Sequence, residues 1–134
     1  MIVVDASVLA PALSDDSDEG DQLRQRLRGQ ILTAPELIDL EVQSVLRSGV
    51  RHGFLDERRA RQAWTDLAGV PLQRAPHRPL LPRAWELRDN LTTYDAAYAA
   101  LAEVLEAILL TADSKFATAP GIRCEVELVR LLPS

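Results

Sequence analysis

Short runs of aliphatic and β-branched residues alternate along the chain with longer amphipathic stretches. The short runs are too brief for helices, and they predict strands over 2–5, 31–33, 107–112 and 124–129, with a weaker signal at 71–74. In the longer stretches, apolar residues recur three or four positions apart, which is the period of a helix with one buried face. These stretches predict helices over 18–29, 35–48, 56–68, 83–90 and 93–106.

Residues with known positional preferences mark the ends of several predicted helices. Pro35 fits the first position of one helix, and Gly49 fits the position just after its end. Asp56 and Thr92 precede two other helices, where their side-chain oxygens can accept hydrogen bonds from free backbone N–H groups. The segment 69–83 is rich in proline and glycine, so we expect mostly turns there.

The alternation of strands and helices predicts an α/β fold in which a parallel sheet is covered on both faces. At 134 residues and 47% hydrophobic content, the chain can build a core as one domain spanning residues 1–134. A single cysteine, Cys124, excludes a disulfide framework. No apolar run approaches the roughly 18 residues of a membrane span, so we expect a cytoplasmic protein without a membrane partner.

Charge gives a mixed indication of possible partners. The net charge of −5 argues mildly against a conventional nucleic-acid binder. Arginines nevertheless cluster in the segments 24–28, 47–61 and 74–83. Each cluster is compatible with a solvated helix face or with a rim that contacts phosphate groups.

Four acidic side chains interrupt patterns that otherwise predict burial. Asp5 ends the first strand, and Asp113 closes the strand 107–112. Asp95 lies in the first turn of a helix, and Glu41 lies among apolar residues of another. A buried carboxylate is costly unless it is paired with a cation or bound to a metal. The four positions are therefore candidates for one metal site.

Strand and helix directions allow these side chains to meet. Residues that follow parallel strands lie at the same edge of the sheet, and a helix leading into such a strand begins at that edge. Asp5, Asp95 and Asp113 are expected there. Glu41 is expected about two turns inside the helix 35–48, on the face of Leu37 and Val45 (positions i−4 and i+4). Since no His or Cys accompanies the four carboxylates, their oxygens favour Mg²⁺ or Mn²⁺ over Zn²⁺.

Each acidic residue also has an ordinary structural explanation when taken alone. Asp95 follows Thr92 by three residues, as in a capping box. Asp113 could begin a turn, and Asp5 could cap a following helix. Glu41 is the hardest to explain in this way, because its helical neighbours are apolar. The joint pattern is harder to explain structurally than any single member.

Four segments carry a family resemblance, in a fixed order along the chain. They are 2–7 (Ile-Val-Val-Asp-Ala-Ser), 35–47 with Pro-Glu-Leu and Glu41, 93–98 (Thr-Tyr-Asp-Ala-Ala-Tyr) and 110–116 (Leu-Thr-Ala-Asp-Ser-Lys-Phe). Together they resemble the PIN-domain ribonucleases, specifically the VapC-type toxins of bacterial type II toxin–antitoxin systems. The resemblance extends from Met1 to about residue 129, and it implies a small parallel sheet of about five strands flanked by helices.

The resemblance also implies a function and a site. The acidic quartet of the family corresponds to Asp5, Glu41, Asp95 and Asp113, which would bind Mg²⁺, with Mn²⁺ as a substitute. Ser7 and Thr111 match hydroxyl residues that support these carboxylates. The implied activity is metal-dependent endoribonuclease cleavage of RNA by an activated water.

Partners follow from the same resemblance. We expect a cognate antitoxin protein, an RNA substrate and a homodimer. The apolar faces of helices 35–48 and 56–68, with Trp64, are candidate surfaces for self-association, although core packing explains most of those positions. The inward face of the second helix is predicted to contain Ala60, Ala63, Trp64 and Leu67.

Three other functions compete with this interpretation. A receiver-type signalling domain would use an aspartate as phosphoacceptor, but it would need an acidic pair after the first strand, where only Asp5 stands. A haloacid-dehalogenase-type phosphatase would need a second aspartate where Ser7 stands. A non-enzymatic binding module of the same fold is the third reading, and the complete acidic quartet argues against it.

Overall fold

The fold is built on one five-stranded parallel sheet. The structure is a computed structural model that describes residues 1–130. Its strands are β1 (Ile2–Val4), β2 (Leu32–Pro35), β3 (Leu72–Ala75), β4 (Ile108–Thr111) and β5 (Val126–Leu128). They lie in the order β3-β2-β1-β4-β5, and every neighbouring pair is parallel. The predicted α/β fold with a parallel sheet of about five strands is confirmed, whereas the last four residues of the predicted domain 1–134 lie outside the described residues.

Helices connect these strands and cover the sheet. They are α1 (Ala6–Ser14), α2 (Asp18–Leu27), α3 (Ile38–Arg51), α4 (Glu57–Leu67), α5 (Leu81–Glu86, preceded by a 3₁₀ turn at Arg78–Leu80), α6 (Thr93–Leu105) and α7 (Lys115–Thr118). The chain passes from β1 in the centre through β2 to β3 at one edge of the sheet. It then crosses to β4, on the other side of β1, and ends at β5 on the opposite edge. Because crossovers are right-handed, α1–α4 cover one face, and α5 and α6 cover the other. No described helix combines the length and the apolar character that crossing a membrane requires.

Helix α6 fills the second face of the sheet with small side chains. It packs against β1, β2 and β4, and its residues 96–102 are all buried. Six of these seven residues are Ala or Leu, which are strong helix formers, and the alanines let the helix lie close to the sheet. The seventh is Tyr98, which is fully buried. This packing holds the start of α6 near the carboxyl ends of the central strands.

Helix α1 was not predicted, and it lies directly after the first strand. Asp5 is its N-cap and accepts a hydrogen bond from the N–H of Ala6. Pro11 lies inside the helix, where it lacks the N–H that would donate a backbone hydrogen bond. Because proline usually breaks a helix, the sequence pattern did not predict one here. The alternative explanation of Asp5 as a helix cap is therefore correct, and its side chain still faces the edge of the sheet.

The predicted bounds of the helix 35–48 were wrong at both ends. Pro35 belongs to β2, opposite Ala75 of β3, so the helix begins only at Ile38. The N–H of Leu37, just before it, donates to Nε2 of His77 at 2.9 Å. At the other end the helix continues through Gly49 to Arg51. Gly53, with φ of 77°, takes the left-handed position after the helix, which glycine tolerates best.

Caps and faces of the other helices agree with the sequence in most places. The side chains of Asp56 and Thr92 accept hydrogen bonds from the N–H groups of Arg58 and Asp95, as predicted for helix caps. In α4, Ala60, Ala63 and Leu67 are buried as predicted. Trp64 is 47% exposed and lies at the rim of that face, so its predicted inward position was only partly correct.

A half-buried ion pair ties α5 to α6 on the second face. Arg83 donates to both carboxylate oxygens of Glu103, at 2.7 and 3.2 Å, and also to the carbonyl oxygen of Gly121. The N–H of Arg123 donates to Glu103 at 2.9 Å. Burial acts to raise the pKa of Glu103, but the hydrogen bonds and charges of the two arginines outweigh it and lower the pKa.

We expect Glu103→Gln to destabilise the protein by about 2 kcal/mol at neutral pH, because it leaves Arg83 without its buried partner. A lowered carboxyl pKa stabilises the fold above the ordinary value of 4.5 and loses that effect as pH falls through the folded value. The difference from wild type should therefore shrink below pH 4.5. Urea unfolding at pH 7 and pH 3.5 measures it, with Glu86→Gln, the exposed partner of the same arginine, as control. Equal effects of the two substitutions would contradict this reading.

Candidate active site

The four acidic residues predicted from the sequence lie at the carboxyl edge of the sheet. Asp5 follows β1, and Asp113 follows β4 by two residues. Asp95 lies in the first turn of α6, and Glu41 in the first turn of α3. Because every strand pair is parallel, the geometric condition for their meeting is satisfied. Their part in binding a metal stays a prediction.

Asp5 is held in place by two hydroxyl groups. Its Oδ2 accepts hydrogen bonds from Oγ of Ser7 at 2.7 Å and from Oγ1 of Thr111 at 2.9 Å. The same hydroxyls accept hydrogen bonds from backbone N–H groups just after β4. Ser7 accepts from the N–H of Ala112, and Thr111 accepts from the N–H of Asp113. Each hydroxyl thus orients Asp5 and fixes the backbone that carries Asp113.

This carboxylate is buried next to another negative charge. Asp5 is 7% exposed, and burial raises its pKa, with a smaller contribution from Asp95. The hydrogen bonds from Ser7 and Thr111 act in the opposite direction without reversing the shift. A charge in this position is stabilised by a bound cation more than by the protein alone.

Glu41 lies nearer to the start of its helix than predicted. It stands in the first turn of α3 and not two turns inside, because that helix begins at Ile38. Its predicted place on the buried stripe was only partly correct, because Leu37 and Ile38 on its face are buried but Val45 is not. The buried stripe consists of Ile38, Val42 and Leu46, whereas Val45 is 44% exposed. Glu41 lies beside the stripe and is half-buried. The negative charges of Asp5 and Asp95 act on its carboxyl group and raise its pKa.

Glu41 and Tyr98 form an incompletely satisfied pair. Oε1 of Glu41 and the hydroxyl of Tyr98 are both buried, and neither has a hydrogen-bond partner of normal geometry among the described residues. Burial raises the pKa of Glu41, Tyr98 opposes that shift, and the charges of Asp5 and Asp95 add to it. Burial and the charge of Glu41 also raise the pKa of Tyr98. The carboxylate oxygen is therefore buried with its hydrogen-bonding capacity unused.

We expect Glu41→Gln to raise the melting temperature of the metal-free protein by about 3 °C at pH 7.5, because it removes a repelled and desolvated charge. A raised carboxyl pKa costs stability above the folded value, and that cost vanishes below the ordinary value of 4.5. The gain should therefore disappear near pH 4. Calorimetric melting measures it, with Glu36→Gln, an exposed glutamate before the same helix, as control. A lower melting temperature for Glu41→Gln at pH 7.5 would contradict the prediction.

A lysine lies between the other two carboxylates. Nζ of Lys115 is 3.4 Å from Oδ2 of Asp113 and 3.6 Å from Oδ2 of Asp95. Oδ1 of Asp113 also accepts a hydrogen bond from the N–H of Lys115 at 2.9 Å. The charges of Asp113 and Asp95 raise the pKa of the lysine. The space between the two aspartates therefore already favours positive charge.

The residues fit a hard divalent cation in chemistry. They supply only carboxylate oxygens, one of them buried without a partner at Glu41, and an ammonium group stands between two of them. Within residues 1–130, in the side-chain conformations of this structure, no three acidic, histidine or cysteine side chains are close enough together to hold one ion. An ion held by all four carboxylates would require these side chains to draw together.

Sequence reasoning did not assign roles to two residues of this site, Tyr98 and Lys115. Tyr98 lies three positions after Asp95 in α6, a spacing that places both on one face of a helix. Lys115 is the chain's only lysine and lies two positions after Asp113. Helical spacing and proximity in sequence were the available signals for them.

Comparison with known proteins identifies the family. The sequence model described as the PIN domain matches residues 2–122. The chain is 43% identical to ribonuclease VapC1 of Mycobacterium tuberculosis over 129 residues, which cover 96% of this chain and 97% of that protein. The chain belongs to the VapC ribonucleases of the PIN-domain family. The predicted family is thereby confirmed, and so is the class of enzyme, a ribonuclease.

Solved structures agree with this membership at the level of the fold. The VapC20 structure from M. tuberculosis, a toxin that cleaves the sarcin–ricin loop, superposes with a TM-score of 0.67. It shares 16% identity and covers 92% of this chain and 97% of its own. VapBC-5 of the same organism, a toxin–antitoxin system, gives 0.55 at 20% identity, covering 96% and 97%. VapC ribonucleases depend in general on a divalent metal, and the receiver-domain alternative does not apply to this family.

Proposed function

We propose that this chain is a Mg²⁺-dependent endoribonuclease that acts as the toxin of a toxin–antitoxin pair. We assign metal binding to Asp5, Asp95, Asp113 and Glu41. One observation supports this assignment most strongly: Asp5 is buried, doubly hydrogen-bonded and repelled by Asp95. Hydroxyl groups orient this carboxylate, yet no basic side chain pairs with it among the described residues. A carboxylate held in this way favours a bound cation.

Oxygen-only donors favour Mg²⁺, and Mn²⁺ suits the same ligands. When bound, the ion offsets the charge of the scissile phosphate and makes water more acidic. The half-buried Glu41 is suited to orient the attacking water and to accept its proton, because its raised pKa makes it a better base than an exposed glutamate. Water oxygen bonds to phosphorus as the bond to the 3′ oxygen breaks. That oxygen takes a proton, so the products carry 5′-phosphate and 3′-hydroxyl ends.

Ser7 and Thr111 act through Asp5 in this proposal. Each hydroxyl donates its one hydrogen bond to Oδ2 of Asp5, and these two bonds fix the orientation of the carboxylate. Fixed ligands lose less entropy when a metal binds, so such partners raise affinity without touching the ion. The same hydroxyls hold the backbone of residues 112 and 113, which aligns Asp113 with Asp5.

RNA must reach this acidic site in spite of the negative charge of the protein. Arginines supply part of the compensation, but several are already engaged in salt bridges, namely Arg24, Arg26, Arg59, Arg61, Arg74 and Arg83. Arg47, Arg51 and Arg58 are exposed near the end of α3 and the start of α4. We propose Arg58 as a phosphate contact, because it lines an open groove that also reaches Ser7 and Ala112.

Two partners complete the proposal. A cognate antitoxin protein is supported by VapBC-5, a structural neighbour that belongs to a toxin–antitoxin system. Self-association as a homodimer is supported by exposed apolar residues on α3 and α4, Leu40 (74% exposed) and Trp64. A cytoplasmic location agrees with the single free Cys124.

Cleavage of RNA by the purified protein tests the activity. Total bacterial RNA is incubated with the protein in Mg²⁺, in EDTA, and in EDTA followed by excess Mg²⁺, and the new ends are mapped. We expect fragments with 5′-phosphate ends in Mg²⁺, none in EDTA, and recovery on adding Mg²⁺ back. Cleavage that persists in EDTA, or cyclic phosphate ends, would contradict the mechanism. Mg²⁺ binding without any cleavage would favour the non-enzymatic binding module.

A further inference from the structure

Lys115 has an unusual position for an exposed lysine. Its side chain is 65% exposed, yet its ammonium nitrogen contacts two carboxylates that are much less exposed, Asp95 at 18% and Asp113 at 31%. Both distances, 3.4 and 3.6 Å, exceed those of a direct charged hydrogen bond, so the ammonium sits between the carboxylates and is bound tightly to neither.

Local backbone structure keeps the lysine at this place. Lys115 is the first residue of α7, and its N–H is bonded to the side chain of Asp113. The lysine side chain therefore starts beside one carboxylate and reaches the other across the edge of the sheet. Loss of the ammonium would leave Asp95 facing Asp5 and Glu41 without any cation nearby among the described residues.

A divalent ion that is ligated by both aspartates needs the same space. Mg²⁺ binds carboxylate oxygens at about 2.1 Å, so an ion shared by Asp95 and Asp113 cannot coexist with an ammonium group between them. The ammonium must leave for the ion to enter. It can do so at low cost, because a lysine stem is flexible and most of this one is in solvent.

We propose that Lys115 is a resident counter-ion that competes with the divalent cation for Asp95 and Asp113 and thereby weakens metal binding. The inference rests on the proposed function, since it takes these two aspartates as metal ligands. The lysine neutralises the carboxylates while metal is absent, and the ion displaces it. The observed affinity for metal is consequently set by the difference between the free energy of binding the ion and that of binding the ammonium group, and not by the carboxylates alone.

Removal of the ammonium is expected to tighten metal binding. Lys115→Met keeps an unbranched stem of similar length and removes the ammonium group. We expect its dissociation constant for Mg²⁺ to fall about three- to tenfold, as suits two exposed ion pairs. Lys115→Arg keeps the charge and should bind within about twofold of wild type. Arg61→Met removes one charge from an exposed ion pair on α4 and should also match wild type.

Calorimetric titration of the full purified chain with Mg²⁺ measures these constants, and the melting temperature without metal gives a second reading. We expect Lys115→Met to melt lower than wild type without metal and to gain more from saturating Mg²⁺. Unchanged or weaker Mg²⁺ binding by Lys115→Met would overturn the inference. Tightening by Arg61→Met to the same extent would also overturn it, since net charge would then explain the effect. Absence of Mg²⁺ binding in the wild type would instead overturn the metal site of the proposed function.

Discussion

Replacement of Asp95 by asparagine is expected to lower the rate of RNA cleavage at least about a thousandfold while the protein stays folded. Asp95 faces Asp5, Glu41 and the lysine bridge to Asp113, so it is central to the four carboxylates. Asparagine keeps the shape of the side chain and removes the charge that a metal needs. Losses of this size are typical when a group that acts on the transition state is removed. Single-turnover cleavage of a labelled RNA measures the change.

The control for Asp95→Asn is Asp89→Asn, which removes an exposed acidic charge in the segment before α6. It should cleave at the wild-type rate. The melting temperature of Asp95→Asn should stay within about 5 °C of wild type, because the backbone cap of α6 comes from Thr92 and not from Asp95. Cleavage by Asp95→Asn within tenfold of wild type would show that this residue is not part of the catalytic site.

Substitutions of Asp5 are expected to separate its two roles. Both Asp5→Asn and Asp5→Ala should lose cleavage at least about a thousandfold, because both remove the buried charge. Asparagine is a good N-cap and still offers an oxygen to the N–H of Ala6, whereas alanine offers none. With its oxygen on that N–H, asparagine places an amide NH₂ where Oδ2 stood, so both substitutions remove the acceptor of the Ser7 and Thr111 hydroxyls and differ only in the cap. We therefore expect Asp5→Ala to be about 1 kcal/mol less stable than Asp5→Asn.

Urea unfolding of the two Asp5 variants measures that difference, and their cleavage rates are measured on the same preparations. Equal stability would show that the cap contributes little to folding. Retained cleavage in Asp5→Asn would be more serious, since it would show that the charge of Asp5 is not needed. The two measurements thus test the structural and the catalytic role of one residue separately.

The sequence predicted the sheet better than it predicted the helix ends. Strands such as β1 and β4 are continuous aliphatic runs, and such runs have few alternatives to burial in a parallel sheet. The caps at Asp56 and Thr92 were also predictable, because a cap is a local arrangement of a side chain with the next few N–H groups. Helix α1 was missed because Pro11 lies inside it.

The start of α3 depended on contacts that are distant in the sequence. Pro35 has the right φ for a first helical residue, but pairing with Ala75 of β3 keeps it in a strand. The resulting shift of three residues moved Glu41 into the first turn of the helix. Three of the four acidic positions could be placed at the edge of the sheet from strand and helix direction. The depth of Glu41 could not, because it depends on where β2 ends.

Tyr98 and Lys115 illustrate a second limit. Tyr98 reads as one more buried residue in an apolar helix, and nothing local indicates that its hydroxyl faces Glu41. Lys115 reads as a surface residue after a turn. Its ammonium reaches Asp95 only because β4 and α6 bring residues that are 20 apart in the sequence to one edge. Side-chain pairs of this kind follow from packing and not from periodicity.

Location of a bound Mn²⁺ ion by anomalous X-ray scattering tests the central claim most directly. Crystals of the wild-type protein, grown without chelator and soaked in Mn²⁺, should show an anomalous peak within about 2.2 Å of carboxylate oxygens of Asp5, Asp95 and Asp113, with Glu41 nearby. Lys115 should have left its place between the two aspartates. A strong Mn²⁺ peak elsewhere, with these four carboxylates free of metal in a preparation that cleaves RNA, would contradict the account.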